Sequence, residues 1–144
     1  MIKVGIIGAS GYAGAELYRL LLNHPHVEIV AISSQSYEGK MISDLYPSFY
    51  GVFDMTFTND QEVIEKADMI FASLPHGLSE KYAKQCDEQG KKFIDLGADF
   101  RLDQENDYQQ WYQHDYQYPQ LNEKQVYGLS EVNREQIKQA SIIG

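Results

Sequence analysis

The sequence has little of several features that mark large classes of protein. One cysteine among 144 residues excludes an internal disulfide framework and suits a reducing compartment, so we expect a cytoplasmic protein. No apolar run reaches the length of about 18 residues that spans a bilayer, so no membrane association is expected. Lysine and arginine number 12 against 21 acidic residues, and the net charge of −9 argues against nonspecific nucleic-acid binding. The four histidines lack the paired spacing of a metal site, so no metal is expected.

Glycine, in contrast, is concentrated near the start of the chain. Residues 2–7 form an apolar strand, and Gly8, Gly11 and Gly14 follow before leucines recur at helical spacing. A strand, a glycine turn and a helix N-terminus together bind dinucleotides, because free N–H groups and the helix dipole favour the pyrophosphate. The spacing is GxxGxxG rather than GxGxxG, and a glycine turn that only reverses the chain is the alternative interpretation.

Strands and helices alternate along the rest of the chain. Strands are predicted at 27–32, 69–74, 93–96 and 141–144, and helices at 79–89 and 131–140. This alternation predicts an α/β fold, a single domain with a doubly wound, Rossmann-type parallel sheet. Residues 54–57 are predicted as a short edge strand, Asn59 or Asp60 as the cap of a brief helix, and 102–125 as surface loop with short helical turns.

The loops richest in glycine and serine each follow a predicted strand. They are Gly8–Gly14, Ser33-Ser34, Ser73–Gly77 and Gly97–Arg101. Ligands of open α/β sheets bind at the carboxyl ends of the strands, so we expect these loops to line one site.

The second of these loops bears on the choice of cofactor. An NAD site usually has an acid after the second strand, but Ser33-Ser34 is followed by no acid until Glu38. Serine hydroxyls can donate to a 2′-phosphate, so NADP is favoured over NAD, with Lys40 as a candidate cation. No arginine stands at this position, and serines that simply end the strand are the structural alternative.

Few side chains are placed for chemistry. His76 is expected either to contact substrate or cofactor or to cap its own loop. The guanidinium of Arg101 suits a phosphate or carboxylate, with pairing to Asp95 or Asp99 as the alternative. Cys86 is predicted as a structural or surface thiol, not a nucleophile. His24, His26 and His114 are predicted as surface residues, and the tyrosines of 102–125 as packing.

Four motifs carry a resemblance to a known family. GASGYAGAELYRLLLNHP, SLPHGLS, DLGADFRL and VYGLSEVNREQIKQA, in this order and spacing, closely resemble the N-acetyl-gamma-glutamyl-phosphate reductases of arginine biosynthesis. The resemblance covers essentially the whole chain. It implies an NADPH-dependent oxidoreductase that reduces N-acetyl-glutamyl 5-phosphate to the semialdehyde and releases phosphate. In that family a cysteine attacks the acyl phosphate and the thioester accepts hydride, with help from a histidine of a second domain.

The resemblance also assigns roles to residues of this chain. It implies that Gly8, Ser10, Gly11, Tyr12, Ala13 and Gly14 hold the pyrophosphate, that Ser33 and Ser34 hold the adenosine side, and that Ser73, Leu74, Pro75 and His76 line the path toward the nicotinamide. Arg101 is expected to bind the acyl phosphate or the leaving phosphate. Gly97 stands where the family usually has serine, which leaves a contact at that position open.

The family's nucleophile lies in an Asn-Pro-Gly-Cys-Tyr stretch that directly follows a segment matching residues 139–144. We therefore expect residues 1–144 to be the NADP-binding domain, with the cysteine just after Gly144 and the catalytic and dimerisation domain absent. Alone, the chain should bind NADP without turnover; the parent enzyme should be a homo-oligomer acting on a small molecule. The alternatives are a free-standing dinucleotide-binding module or redox sensor, and an oxidoreductase for another substrate class.

Overall fold

The computed structural model describes residues 1–144, which form two compact units. The first unit comprises residues 1–73 and the second comprises residues 74–144. Both consist of parallel strands with helices between them. The predicted α/β class is therefore confirmed, whereas the grouping of both units into one cofactor-binding domain stays a prediction.

The first unit is built on three parallel strands. Its elements are β1 (Ile2–Ile7), α1 (Tyr12–Leu21), β2 (Val27–Ile32), α2 (Ile42–Leu45), a 3-10 turn (Pro47–Phe49), α3 (Asp60–Lys66) and β3 (Met69–Ala72). The strand order is β2-β1-β3, so β1 lies in the middle. Val4 pairs with Ile29 of β2 on one side and with Met69 of β3 on the other.

Helices cover both faces of the first unit's strands. On one face, Val4 and Ile6 are fully buried in a cluster with Tyr18 of α1. On the opposite face Gly5 lies against α3, because a Cβ added there would stand 2.5 Å from Cγ1 of Val63. Successive side chains of a strand point to opposite faces, so β1 is buried against α1 on one face and against α3 on the other. This is the doubly wound arrangement that the alternation predicts.

The second unit has three further parallel strands, two of them very short. Its elements are α4 (Glu80–Glu88), β4 (Lys92–Asp95), α5 (Glu105–Tyr112), α6 (Pro119–Asn122), β5 (Gln125–Val126), α7 (Ser130–Gln139) and β6 (Ile142–Ile143). The strand order is β4-β6-β5, with Phe93 and Gln125 each paired to Ile142. Gly90, with φ of +67°, follows the C-cap residue of α4 in the left-handed conformation that favours glycine.

The predictions for the shorter elements have mixed outcomes. Asn59 caps α3, since its side-chain oxygen accepts from the Glu62 amide. The edge strand predicted at 54–57 is wrong, because that stretch contributes only an isolated bridge from Thr56 to Met41. The stretch 102–125 is more ordered than a surface loop, since it contains the eight-residue α5, which buries Tyr108 completely.

None of the helices combines the length and apolar character needed to cross a bilayer.

Candidate functional site

The glycine loop connects β1 to α1, and two of its glycines are required by the backbone. Gly8 has φ of +74°, in the left-handed region that side chains disfavour. Gly14 packs against the loop itself, because a Cβ there would lie 2.6–2.8 Å from the carbonyl oxygen, Cα and carbonyl carbon of Ala9. The loop therefore folds back tightly on the first turn of α1, as the dinucleotide-binding interpretation requires.

Gly11 differs from both of its neighbours in the motif. Its φ of −78° is ordinary, and a Cβ at this position would have no atom within 4 Å. It is the N-cap residue of α1, without a side-chain cap and without an acid in the first turn. Tyr12 and Ala13, the next two residues, are exposed. The start of α1 thus presents amide groups and a positive dipole end to open space, which favours an anion.

The serines predicted for the cofactor lie together beside this loop. The Ser34 hydroxyl donates to Oγ of Ser10 at 2.8 Å, and the Ala9 amide donates to the Ser33 carbonyl at 2.8 Å. The Ser33 hydroxyl is directed elsewhere, donating to Oδ1 of Asp60 at 2.5 Å. The Ser33 hydroxyl is bonded to Asp60, and the Ser10 and Ser34 hydroxyls share one hydrogen bond, so one hydroxyl hydrogen of the Ser10–Ser34 pair is left for a ligand.

Tyr46 is a member of this cluster that the sequence did not reveal. Its hydroxyl donates to the Ser10 carbonyl at 2.8 Å, across 36 positions of sequence. Burial raises the pKa of Tyr46, so the hydroxyl stays protonated and able to donate. Tyr46 lies in the irregular stretch before Phe53, where no spacing pattern marks it. Ser73, at the end of β3, is tied to the same loop region by its amide, which donates to the Ile7 carbonyl at 2.9 Å.

In the second unit, His76 stands exposed on the turn after Leu74 and Pro75. Its ring lies 5.0 Å edge-to-face from the His114 ring and 5.7 Å from the Tyr112 ring. The loop-capping interpretation of His76 requires an imidazole hydrogen bond to the backbone, and the contacts found are ring contacts instead. His114 is exposed as predicted, but it also covers Gly77, where a Cβ would stand 3.2 Å from its ring.

Arg101 is exposed and carries no ion pair in the second unit. Its Nη2 donates to the Gly97 carbonyl at 2.8 Å, and its Nη1 donates to the Tyr112 hydroxyl at 3.4 Å. The alternative that Arg101 pairs with Asp95 or Asp99 is therefore wrong. Both acids are buried and accept hydrogen bonds from other groups. The guanidinium charge is available to an anion at a cavity of about 300 Å³.

Two buried acids of the second unit, Asp95 and Glu80, accept hydrogen bonds from neighbouring groups. Oδ1 of Asp95 accepts from the Ser79 hydroxyl at 2.7 Å and from the Gly97 amide at 3.0 Å. Burial raises the pKa of Asp95 against the lowering effect of these two donors. Glu80, also buried, accepts from the Tyr118 amide at 2.6 Å, and burial raises its pKa as well. The glycine and ADFR motifs did not indicate these contacts, since Ser79 lies 16 positions from Asp95 and Glu80 lies 38 positions from Tyr118.

The remaining candidates have structural roles. Cys86 is completely buried, and burial raises the pKa of its thiol to about 12, so it stays protonated at neutral pH. This confirms a structural rather than a surface thiol. Tyr108 and Tyr116 are buried with their ring centroids 4.8 Å apart, which confirms the packing prediction for these two tyrosines. No group of three or more histidine, cysteine or acidic side chains is arranged to hold a metal ion.

Comparison with known proteins gives consistent relationships. A family model described as "Semialdehyde dehydrogenase, NAD binding domain" matches residues 3–140. An N-acetyl-gamma-glutamyl-phosphate reductase of Clostridium botulinum (strain Eklund 17B / Type B) is 53% identical over 143 residues, covering 99% of this chain and 42% of that relative. The chain thus spans less than half the length of the curated relatives it matches.

Two solved structures share the fold. The aspartate semialdehyde dehydrogenase II of Vibrio cholerae complexed with ASA has a TM-score of 0.69 at 22% identity, over 99% of this chain and 40% of that one. The aspartate semialdehyde dehydrogenase of Candida albicans with NADP has a TM-score of 0.61 at 18% identity, over 99% of this chain and 42% of that one. These likenesses confirm the Rossmann-type fold. Because the family model spans nearly its whole length, the chain belongs to the semialdehyde dehydrogenase NAD-binding-domain family.

Proposed function

We propose that this chain is the cofactor-binding part of an N-acetyl-gamma-glutamyl-phosphate reductase. Such an enzyme reduces N-acetyl-glutamyl 5-phosphate to the semialdehyde with NADPH and releases phosphate. The support is the 53% identity to the Clostridium botulinum relative of that name over 99% of the chain. We also propose a cytoplasmic location, a small-molecule substrate, no nucleic-acid or membrane partner, and assembly of the parent enzyme through residues outside this chain.

One observation carries the binding proposal. The N-terminus of α1 has no cap, no acid in its first turn and open space over Gly11. A pyrophosphate placed there would accept from the free amide groups and meet the positive end of the helix dipole. On this proposal the residues Gly8, Ser10, Gly11, Tyr12, Ala13 and Gly14 hold the pyrophosphate.

The remaining contacts are proposed on the resemblance together with the local geometry. We propose Ser33 and Ser34 on the adenosine side, and Ser73, Leu74, Pro75 and His76 toward the nicotinamide. Arg101 is proposed to bind the acyl phosphate or the leaving phosphate, because its guanidinium has only neutral partners.

The cofactor is proposed to be NADP. No acid follows β2 before Glu38, so nothing in the loop matches the carboxylate that holds the ribose of NAD. The Ser10 and Ser34 hydroxyls share one hydrogen bond, so one hydroxyl hydrogen of this pair is left to donate to a 2′-phosphate. The Candida albicans structure that shares the fold contains NADP by its description.

The chain is proposed to bind its cofactor without turning over substrate. Cys86 is its one cysteine, and a buried thiol with a pKa of about 12 does not supply the thiolate that attacks an acyl phosphate. The nucleophile of the parent enzyme is therefore proposed to come from residues outside this chain.

Calorimetric titration of the chain with NADPH and with NADH tests the cofactor assignment. We expect NADPH to bind about tenfold tighter, as one charge-assisted hydrogen bond to the 2′-phosphate provides. Ser34→Ala, on the proposed adenosine side, should remove most of that preference by weakening NADPH and leaving NADH nearly unchanged. A wild-type preference for NADH, or equal losses for both cofactors in the variant, would contradict the assignment.

A further inference from the structure

The second unit contains a buried polar network that the proposed function does not use. Its members are Ser79, Asp95 and Asp99, which are exposed by 0%, 4% and 0%. Buried carboxylates are rare in proteins unless several donors satisfy them, because removal from water disfavours the charge. The donors to these two carboxylates therefore show what the network holds in place.

Asp99 joins two elements of the unit. Its Oδ1 accepts from the Gly77 amide at 2.6 Å and from the Tyr108 hydroxyl at 2.9 Å, and its Oδ2 accepts from the Ser79 amide at 2.8 Å. Gly77 and Ser79 belong to the turn that carries His76. The Asp99 carboxylate thus anchors that turn by two backbone amides and attaches it to α5 through Tyr108.

Ser79 extends the connection to the turn that carries Arg101. Its hydroxyl donates to Oδ1 of Asp95 at 2.7 Å, and the same oxygen accepts from the Gly97 amide at 3.0 Å. The Gly97 carbonyl in turn accepts from Nη2 of Arg101 at 2.8 Å. A continuous series of hydrogen bonds therefore runs from the His76 turn to the Arg101 guanidinium.

We propose that Asp99 is a positioning residue that fixes the turn of residues 75–79 and, through Ser79 and Asp95, the place of His76 relative to Arg101. The proposal rests on the proposed function, in which His76 and Arg101 contact ligands. Well-packed apolar residues often stabilise a protein interior as well as buried ionic groups do, so stability alone is a weak reason for a buried carboxylate. The geometry that Asp99 imposes on two amides therefore accounts for the charge at this position.

Asp99→Asn tests the proposal, with Tyr108→Phe as the matched control. The first substitution keeps the size of the side chain but places an NH₂ group against one of the two amide donors. Tyr108→Phe removes a bond to the same Oδ1 and leaves both amide bonds intact. The measurements are hydrogen exchange of the Gly77 and Ser79 amides and the NMR resonances of the His76 imidazole, both without cofactor.

We expect Gly77 and Ser79 amide exchange to accelerate at least about tenfold in Asp99→Asn, the change for losing a hydrogen bond to a charged acceptor. The His76 resonances should shift in the same variant. In Tyr108→Phe both observables should stay within about twofold of the wild type. Equal effects in the two variants, in proportion to lost stability, would overturn the positioning role.

NADPH titration of the same variants separates this proposal from the proposed function. Faster exchange of the Gly77 and Ser79 amides with unchanged NADPH affinity would support the positioning role and refute His76 as a cofactor contact. If Asp99→Asn does not fold, Ser79→Ala cuts only the link to Asp95. That variant should accelerate Gly77 exchange about threefold, less than Asp99→Asn because the bond from Gly77 to Asp99 is kept, and unchanged exchange would overturn the proposal.

Discussion

Helices α1 and α3 belong to the same unit, and their N-termini are built in opposite ways. Helix α3 begins with Asn59, whose side chain accepts from the Glu62 amide at 2.9 Å, and it has Asp60 and Glu62 in its first turn. Helix α1 begins with Gly11, with neither a side-chain cap nor an acid. The Glu62 amide at the start of α3 is satisfied by a side chain of the protein, whereas the first amides of α1 have no side-chain cap and are left for an external anion.

The difference has an energetic meaning. A capping side chain stabilises a helix by about 1 kcal/mol, and acids in the first turn add a few tenths more through the dipole. The α1 terminus forgoes these contributions in the free protein and would recover them when a phosphate occupies the site. The contrast therefore separates a terminus that supports the fold from one that is kept open for a ligand.

The largest effect is expected from adding a side-chain atom inside the glycine loop that precedes α1. Gly14→Ala places a Cβ 2.6–2.8 Å from three backbone atoms of Ala9, so the loop must move. We expect a loss of about 3 kcal/mol in the free energy of unfolding, as overpacking of a tight contact produces. Chemical denaturation measures this change. Gly11→Ala is the control, because its Cβ meets open space, and a matching loss there would refute the loop geometry.

A smaller effect is expected at the N-terminus of α3, which is capped by Asn59. Asn59→Ala removes the acceptor of the Glu62 amide and should lower the free energy of unfolding by about 1 kcal/mol. Because α3 is not proposed to touch the cofactor, the NADPH dissociation constant should stay unchanged. Denaturation and calorimetry on the same sample check both expectations. A higher NADPH dissociation constant in a fully folded variant would contradict the claim that the α3 terminus supports the fold alone.

The smallest effect is expected at Glu62, an acidic residue in the first turn of α3. Hydrogen bonds from Lys66 and from Thr58 lower the pKa of Glu62 below its ordinary value. A lowered folded-state pKa contributes stability above the unfolded value and loses it as pH falls through the folded value. We expect the unfolding midpoint to fall less between pH 7 and pH 3 in Glu62→Gln than in the wild type. Identical pH dependence would show that Glu62 adds nothing to this terminus.

Much of the fold follows from local sequence signals. The strand, glycine turn and helix around Gly8–Gly14 and the Asn59 cap depend on residues a few positions apart, so period and capping rules identify them. The missing acid after the second strand favoured NADP, and the family resemblance implied the same cofactor. The structural setting of Ser10, between Tyr46 and Ser34, depends on contacts across 36 and 24 positions, which no spacing rule encodes.

The wrong predictions have the same origin. Residues 54–57 alternate as a strand would, but only an isolated bridge at Thr56 pairs them with Met41. Arg101 stands close to acidic residues in sequence, yet the Asp99 carboxylate accepts from Gly77, Ser79 and Tyr108 instead. Neighbours in sequence compete with partners brought in by the fold, and burial decides between them.

Gly11→Asp tests the central claim most directly, because it builds at α1 the kind of terminus that α3 already has. A carboxylate at the N-cap should accept from the free amides and raise the free energy of unfolding by about 0.5–1 kcal/mol. It should also occupy and repel the phosphate position, weakening NADPH binding at least about tenfold. Higher stability with weaker NADPH binding is the predicted result; an unchanged NADPH dissociation constant in the stable variant would contradict the proposal that α1 holds the pyrophosphate.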